Sequence, residues 1–177
     1  DRGDAPHYLL KEIFESPASF RKTLRGRILE RGGRLGVRLG ADTFRPAVLE
    51  WLRSGRLRRV VVVGQGTAAV AGHGVAHALR RALPREISVE AMLATELSGF
   101  RLERDMGDTL VVAISQSGTT AATNRTVDVV RARGGRVVAI VNRRQSDLVD
   151  KSDGVLYTSD GRDVEMSVAS TKAFYSQ

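Results

Sequence analysis

Ser115, Ser117 and Thr120 place three hydroxyls within the six residues Ser115-Gln116-Ser117-Gly118-Thr119-Thr120, with no lysine or arginine among them. The segment follows the apolar run Thr109–Ile114 and precedes the helix-like stretch Ala121–Arg133. A strand that ends in Ser-x-Ser-Gly-x-Thr and then starts a helix makes an anion cradle. The helix N-terminus offers unpaired backbone N–H groups and a partial positive charge. Gly118 lets the backbone curl close to a ligand with no Cβ in the way. Neutral donors suit a small phosphate ester rather than a triphosphate held by a lysine and a metal. The expectation is that these hydroxyls and the amides of the 117–120 turn surround an anion. One capping hydroxyl is commonplace at a helix start; three hydroxyls and a glutamine straight after an apolar strand exceed what a cap needs.

The elements that would hold this loop form a repeating pattern. Apolar, β-branched runs at Arg58–Val63, Ile87–Ala91, Thr109–Ile114, Arg136–Val141 and Gly154–Tyr157 read as buried strands. Between them lie helical stretches at Thr67–Leu83, ended by Pro84, and at 120–133, ended by Gly134-Gly135. Strands alternating with helices imply an α/β three-layer sandwich with a five-stranded parallel sheet and right-handed crossovers. In the flavodoxin-like order 2-1-3-4-5, strands 1 and 3 are neighbours, and their loops Gly64–Ala68 and Ser115–Thr120 converge at the switch point. Upstream, residues 7–30 read as one or two short helices, the second starting at Pro17 with Ser16 as its cap. Residues 31–45, rich in Gly and Arg, read as a loop, and Phe44–Ser54 as a short helix carrying the only Trp, Trp51. The expected division is an N-terminal helical arm or linker over 1–45 and one α/β domain over 46–177.

Composition bounds the chemistry. The 177 residues contain no cysteine, which excludes disulfides, thiolate catalysis and Cys-based metal sites. No apolar run approaches a membrane span and no secretory leader is evident, so a cytoplasmic location and no membrane partner are expected. The net charge of +8 is spread as arginine along the chain, without aromatic interleaving or a zinc-finger or RNP pattern. Nucleic acid is therefore not the expected partner, although a positive field steers anionic ligands. His73 and His77 are four apart on one helix with no third ligand of suitable type, so no metal and no other cofactor is expected.

Gly64-Gln65-Gly66-Thr67-Ala68-Ala69 satisfies G-x-G-x-x-A after a strand, and Glu90 lies near where a ribose-binding acid would sit. That dinucleotide reading does not account for the Ser-rich loop after strand 3. The same residues, with Val168-Ala169-Ser170-Thr171-Lys172-Ala173-Phe174, resemble the sugar isomerase (SIS) family, and within it the first of two SIS domains in the glutamine–fructose-6-phosphate aminotransferases. That family carries C-G-T-S, S-Q-S-G-E-T and V-A-S-T-K-A-F in this order. His7–Pro17 is similar to the start of the family's isomerase region, and Asn142, Ser146-Asp147-Leu148 and Ser152-Asp153 fit the same alignment. The resemblance spans almost the whole chain.

The resemblance implies roles. Ser115, Gln116, Ser117, Gly118 and Thr120 would hold the phosphate of fructose 6-phosphate or glucosamine 6-phosphate. Thr67, Val168 and Ser170 would face the sugar, with Gln65, Gly66 and Lys172 as further candidates. It also implies a glutaminase domain and a second SIS domain in the parent chain, a homodimer, and catalytic groups supplied from that second domain. No catalytic residue is assigned here, and this chain alone is expected to bind without turnover, as a fragment truncated in the helix after Ser-Thr-Lys. Three positions depart from the pattern: Gln65 replaces Cys, Ala68 replaces Ser, and Thr119 replaces Glu. They leave open a relative acting on another amino-sugar phosphate, or a non-catalytic phosphosugar sensor.

Overall fold

A computed structural model of the chain describes residues 2–40, 43–166 and 169–177. In chain order the elements are α1 (Tyr8–Leu24), β1 (Ile28–Arg31), β2 (Arg34–Val37), α2 (Pro46–Arg53), β3 (Arg59–Gly64), α3 (Thr67–Ala82), β4 (Ser88–Leu93), α4 (Ala94–Glu96) running into a π-turn (Leu97–Arg101), β5 (Thr109–Ser115), α5 (Ala121–Ala132), β6 (Arg136–Val141), α6 (Asp147–Asp150), β7 (Gly154–Tyr157) and α7 (Thr171–Ser176). The main sheet has the order β4-β3-β5-β6-β7, every pair parallel. Counted within the sheet, this is the expected 2-1-3-4-5.

The strands form because runs such as Val60–Val63 are β-branched and buried on both faces. Alternate residues then feed two cores. Val61, Val63, Val111 and Ala113 pack with Leu97, Val127 and Leu148 on the face covered by α4, α5 and α6. Val60, Val62, Val112 and Ile114 pack with Val48, Trp51 and Ala76 on the face covered by α2 and α3. Trp51 is fully buried and donates its indole N–H to the Gly107 carbonyl at 3.1 Å. Gly72 allows α3 to approach β3: a Cβ there would lie 3.2 Å from Val62 Cγ1. Gly74 has no such neighbour.

The N-terminal third differs from expectation. α1 runs unbroken through Pro17, so Ser16 caps nothing; its buried hydroxyl donates to the Glu12 carbonyl at 2.9 Å. Residues 28–37, expected as helix end and loop, form an antiparallel hairpin. Its turn is Gly32-Gly33 with φ +57° and +73°, the two positive φ values a tight two-residue hairpin turn requires. Phe44 makes an antiparallel bridge to Gly154 instead of starting a helix, and α2 begins at Pro46.

α1 is amphipathic in reverse. The polar side chains of Glu12, Ser16, Ser19 and Thr23 are buried, whereas Ile13 and Phe14 are exposed. That polar stripe faces the 3-10 turn Ser159–Gly161 and α7.

Candidate functional site

β5 delivers Ser115, 3% exposed, to the carboxyl edge of the sheet. Its Oγ accepts the Gly118 N–H at 3.0 Å and lies 3.3 Å from Thr120 Oγ1. Ser117 Oγ accepts from the Thr119 N–H at 3.2 Å and the Thr119 hydroxyl at 3.0 Å. Two of the amides expected to face an anion are therefore turned onto the loop's own hydroxyls. The Gly118 carbonyl accepts from Leu148 N–H at 3.2 Å and Asn124 Nδ2 at 3.0 Å, and the Gln116 carbonyl accepts from Asn142 N–H at 3.2 Å. The loop is thus braced from β6, α5 and α6.

Two helices begin at this point. α5 has Thr120 as its N-cap and no side-chain cap, because Thr120 Oγ1 is directed to Ser115. α3 has Gly66 as its N-cap, at φ +55°, and again no side-chain cap. Gly64 is needed where α3 meets β3: a Cβ would lie 2.7 Å from the Ala68 carbonyl carbon. The amides of Ala68 and Ala69 bond the Gln65 and Gly66 carbonyls.

Both N-termini open on one cavity of about 230 Å³, lined by Gln65, Gly66, Thr67, Ala68, Ile114, Ser115, Gln116, Ser117, Thr120, Ser170 and Gln177. None of these side chains ionises. Two helix ends of the same polarity favour an anion here, each by roughly 0.3–1 kcal/mol, more where water is excluded. Gln65 reaches only Thr95, Nε2 to Oγ1 at 3.4 Å, and its buried Oε1 has no hydrogen-bond partner among the described residues. An acceptor in that state takes its donor from water or from a ligand.

The structure therefore brings Thr67, Ser115, Gln116, Ser117, Thr120, Ser170, Gln65 and Gly66 to one cavity. Gly118 lies behind the wall, shaping the turn at φ +69°. Val168 lies outside the described residues. Lys172 is 4% exposed and points away, with Nζ donating to Glu15 Oε2 at 2.9 Å and the Val164 carbonyl at 3.3 Å. Sequence reasoning missed Gln177 as a wall residue; it lies seven residues, two helical turns, after Ser170, a spacing that shares a face. Glu90 sits inside β4, paired with Arg101 at 3.1 Å and Arg59 at 3.9 Å, and not at the strand's tip, where the dinucleotide reading needed it. His73 and His77 are both exposed, and the described residues hold no cluster of three or more metal-binding side chains.

Behind the cavity, Gln116 also borders a polar interior with Ser19, Asn142, Asp163, Glu165 and Lys172. Burial pushes the Glu165 carboxyl above the usual range, against hydrogen bonds from the Ala173 amide and the Ser170 hydroxyl. Hydrogen bonds from Lys11 and Lys172 hold Glu15 below it.

Residues 56–177 match the SIS domain family. The chain is 39% identical over 179 residues to the isomerizing glutamine–fructose-6-phosphate aminotransferase of Symbiobacterium thermophilum, covering 100% of this chain and 27% of that protein. It is 41% identical to the Streptomyces coelicolor enzyme of the same name, covering 96% of this chain and 26% of that one. The C-terminal domain of glucosamine-fructose-6-phosphate aminotransferase from Francisella tularensis superposes with a TM-score of 0.78 at 28% identity, over 98% of this chain and 45% of its own. The chain spans about a quarter of the length of the curated relatives it matches.

Proposed function

The chain belongs to the SIS domain family, and on that premise we propose that its cavity binds a sugar phosphate, fructose 6-phosphate or glucosamine 6-phosphate, within an isomerising glutamine–fructose-6-phosphate aminotransferase of amino-sugar biosynthesis. The observation that carries this reading is the meeting of two uncapped helix N-termini on a hydroxyl-lined cavity free of ionisable side chains. The α5 end, with Ser115, Gln116, Ser117 and Thr120 around it, takes the phosphate. Thr67, Gln65 and Ser170 face the sugar, and the Gln65 side-chain amide bonds to one of its hydroxyls. Gln65 thus supplies a hydrogen-bonding group beside Ala68, where the family pattern has a serine.

A proton shuttle needs positioned acids and bases, and the described residues of the cavity walls carry none. In this reading those groups come from a second SIS domain, and ammonia from a glutaminase domain, of a longer, cytoplasmic, homodimeric parent.

Calorimetric titration tests the assignment. Fructose 6-phosphate should bind and unphosphorylated fructose should bind far more weakly. Ser117→Ala should weaken the phosphate ester by about 1–2 kcal/mol, the scale of a hydrogen bond to a charged group, and leave the weak fructose signal unchanged. Equal losses for both ligands would show that Ser117 reads the sugar and not the phosphate.

A further inference from the structure

Ser170 reaches the cavity from a loop with an unusual stem. Lys172, two residues on, donates to the Val164 carbonyl at 3.3 Å, and the Ala173 N–H donates to Glu165 Oε1 at 2.7 Å. These two bonds close residues 164–173 at the base. The closed base is then fastened to α1, more than 140 residues earlier in the chain. The Met166 N–H donates to Glu12 Oε1, and Lys172 Nζ donates to Glu15 Oε2 at 2.9 Å. The same face of α1 continues the attachment: Lys22 pairs with Asp163 at 2.8 Å, Ser19 Oγ lies 2.6 Å from Ser159 Oγ, and Thr23 Oγ1 accepts the Ser159 N–H at 2.8 Å. Residues 12, 15, 19, 22 and 23 recur at helical spacing, so one stripe of α1 meets the segment 159–173 at successive points.

We propose that Lys172 and Glu15 are positioning residues of the cavity: through their ion pair α1 fixes the loop that presents Ser170, so ligand binding and the docking of α1 are coupled. The inference rests on the sugar-phosphate reading of the cavity. Lys172 is buried at 4% exposure, so removing Glu15 takes away its ion-pair partner and leaves the buried cation to the Val164 carbonyl and the neighbouring Glu165 carboxyl. The loop base then shifts, and Ser170 with it. The wall at Ser115–Thr120 is braced separately, by Leu148, Asn124 and Asn142, so the phosphate end of the cavity should not notice. Because coupling is reciprocal, an occupied cavity must also hold α1 down.

The experiment uses the full chain, with fructose 6-phosphate and inorganic phosphate as separate calorimetric probes, in Glu15→Gln, Lys172→Met and the double variant. Each single change should weaken fructose 6-phosphate about tenfold, the double variant no further, and inorganic phosphate should move less than about twofold. Hydrogen exchange on the unaltered chain needs no variant: saturating fructose 6-phosphate should slow exchange across residues 8–24. Unchanged sugar-phosphate affinity in folded Glu15→Gln overturns the proposal. So does an equal loss for both probes, which would mean general damage, or an α1 whose exchange ignores the ligand. If the unaltered chain binds inorganic phosphate and not fructose 6-phosphate, the reading of the cavity itself fails, and the positioning role falls with it.

Discussion

A methyl group at position 118 would run into the Ser146 side chain and would sit on a backbone with φ +69°. The left-handed conformation costs a non-glycine residue roughly 1–2 kcal/mol, and forcing a side chain into a packed site costs about 1–3 more. Gly118→Ala should therefore lower the free energy of unfolding by about 2–5 kcal/mol, read from urea denaturation; a loss below about 0.5 kcal/mol would show that the loop relaxes freely. At this scale the cavity was largely legible, because hydroxyl-bearing residue types and their spacing are visible in the chain. What Gly118 and Thr119 do with their amides was not. That depends on backbone angles, which direct both N–H groups to Ser115 and Ser117. Lys172 was misplaced for a similar reason. A lysine just inside a helix start reads as exposed or ligand-facing, and only the position of α1 reveals its partner.

Glu165 acts on a whole element: its Oε1 accepts the Ala173 N–H in the first turn of α7, a cap supplied from outside the helix. Burial raises its carboxyl above the unfolded value, so ionising it costs the folded state. The associated stability is fully present below the ordinary glutamate range and is lost as pH rises through the raised value. Glu165→Gln keeps the acceptor and removes the charge. Its Tm should exceed that of the unaltered chain at pH 7–8, and the gap should close towards pH 4. A gap constant across that range, or one widening in acid, would contradict the cause given for the shift. The five strands of the main sheet were readable because each is an apolar run flanked by breakers. Two elements were not. The hairpin has no buried face to impose alternation; Leu35 and Val37 are 77% and 69% exposed. α1 carries a proline that normally disrupts a helix interior; contacts of Glu12 and Ser19 across the molecule hold it continuous, and the Ser16 hydroxyl takes up the Glu12 carbonyl within the helix.

For the molecule as a whole, the decisive property of the cavity is that its described wall residues carry no ionisable side chain. Purified chain incubated with fructose 6-phosphate and ammonia should yield no glucosamine 6-phosphate. Turnover that disappears in Ser115→Ala would show that a base does reach the ligand, with Glu165 the first to test. The packing of the first helix on the last has a separate consequence, for the order in which the chain folds. Joining residues 12–23 to 159–176 closes a loop of about 140 residues, an entropic cost on the order of 4 kcal/mol from the length dependence alone. Polar contacts return little of that cost until their partners are already in place. The parallel sheet, with its apolar cores, forms from shorter crossovers and is the natural nucleus. Ser170 is therefore set in position late, after the Ser115–Thr120 loop that hangs on the central strand. A partly folded chain would hold the phosphate end of its cavity before the opposite wall exists.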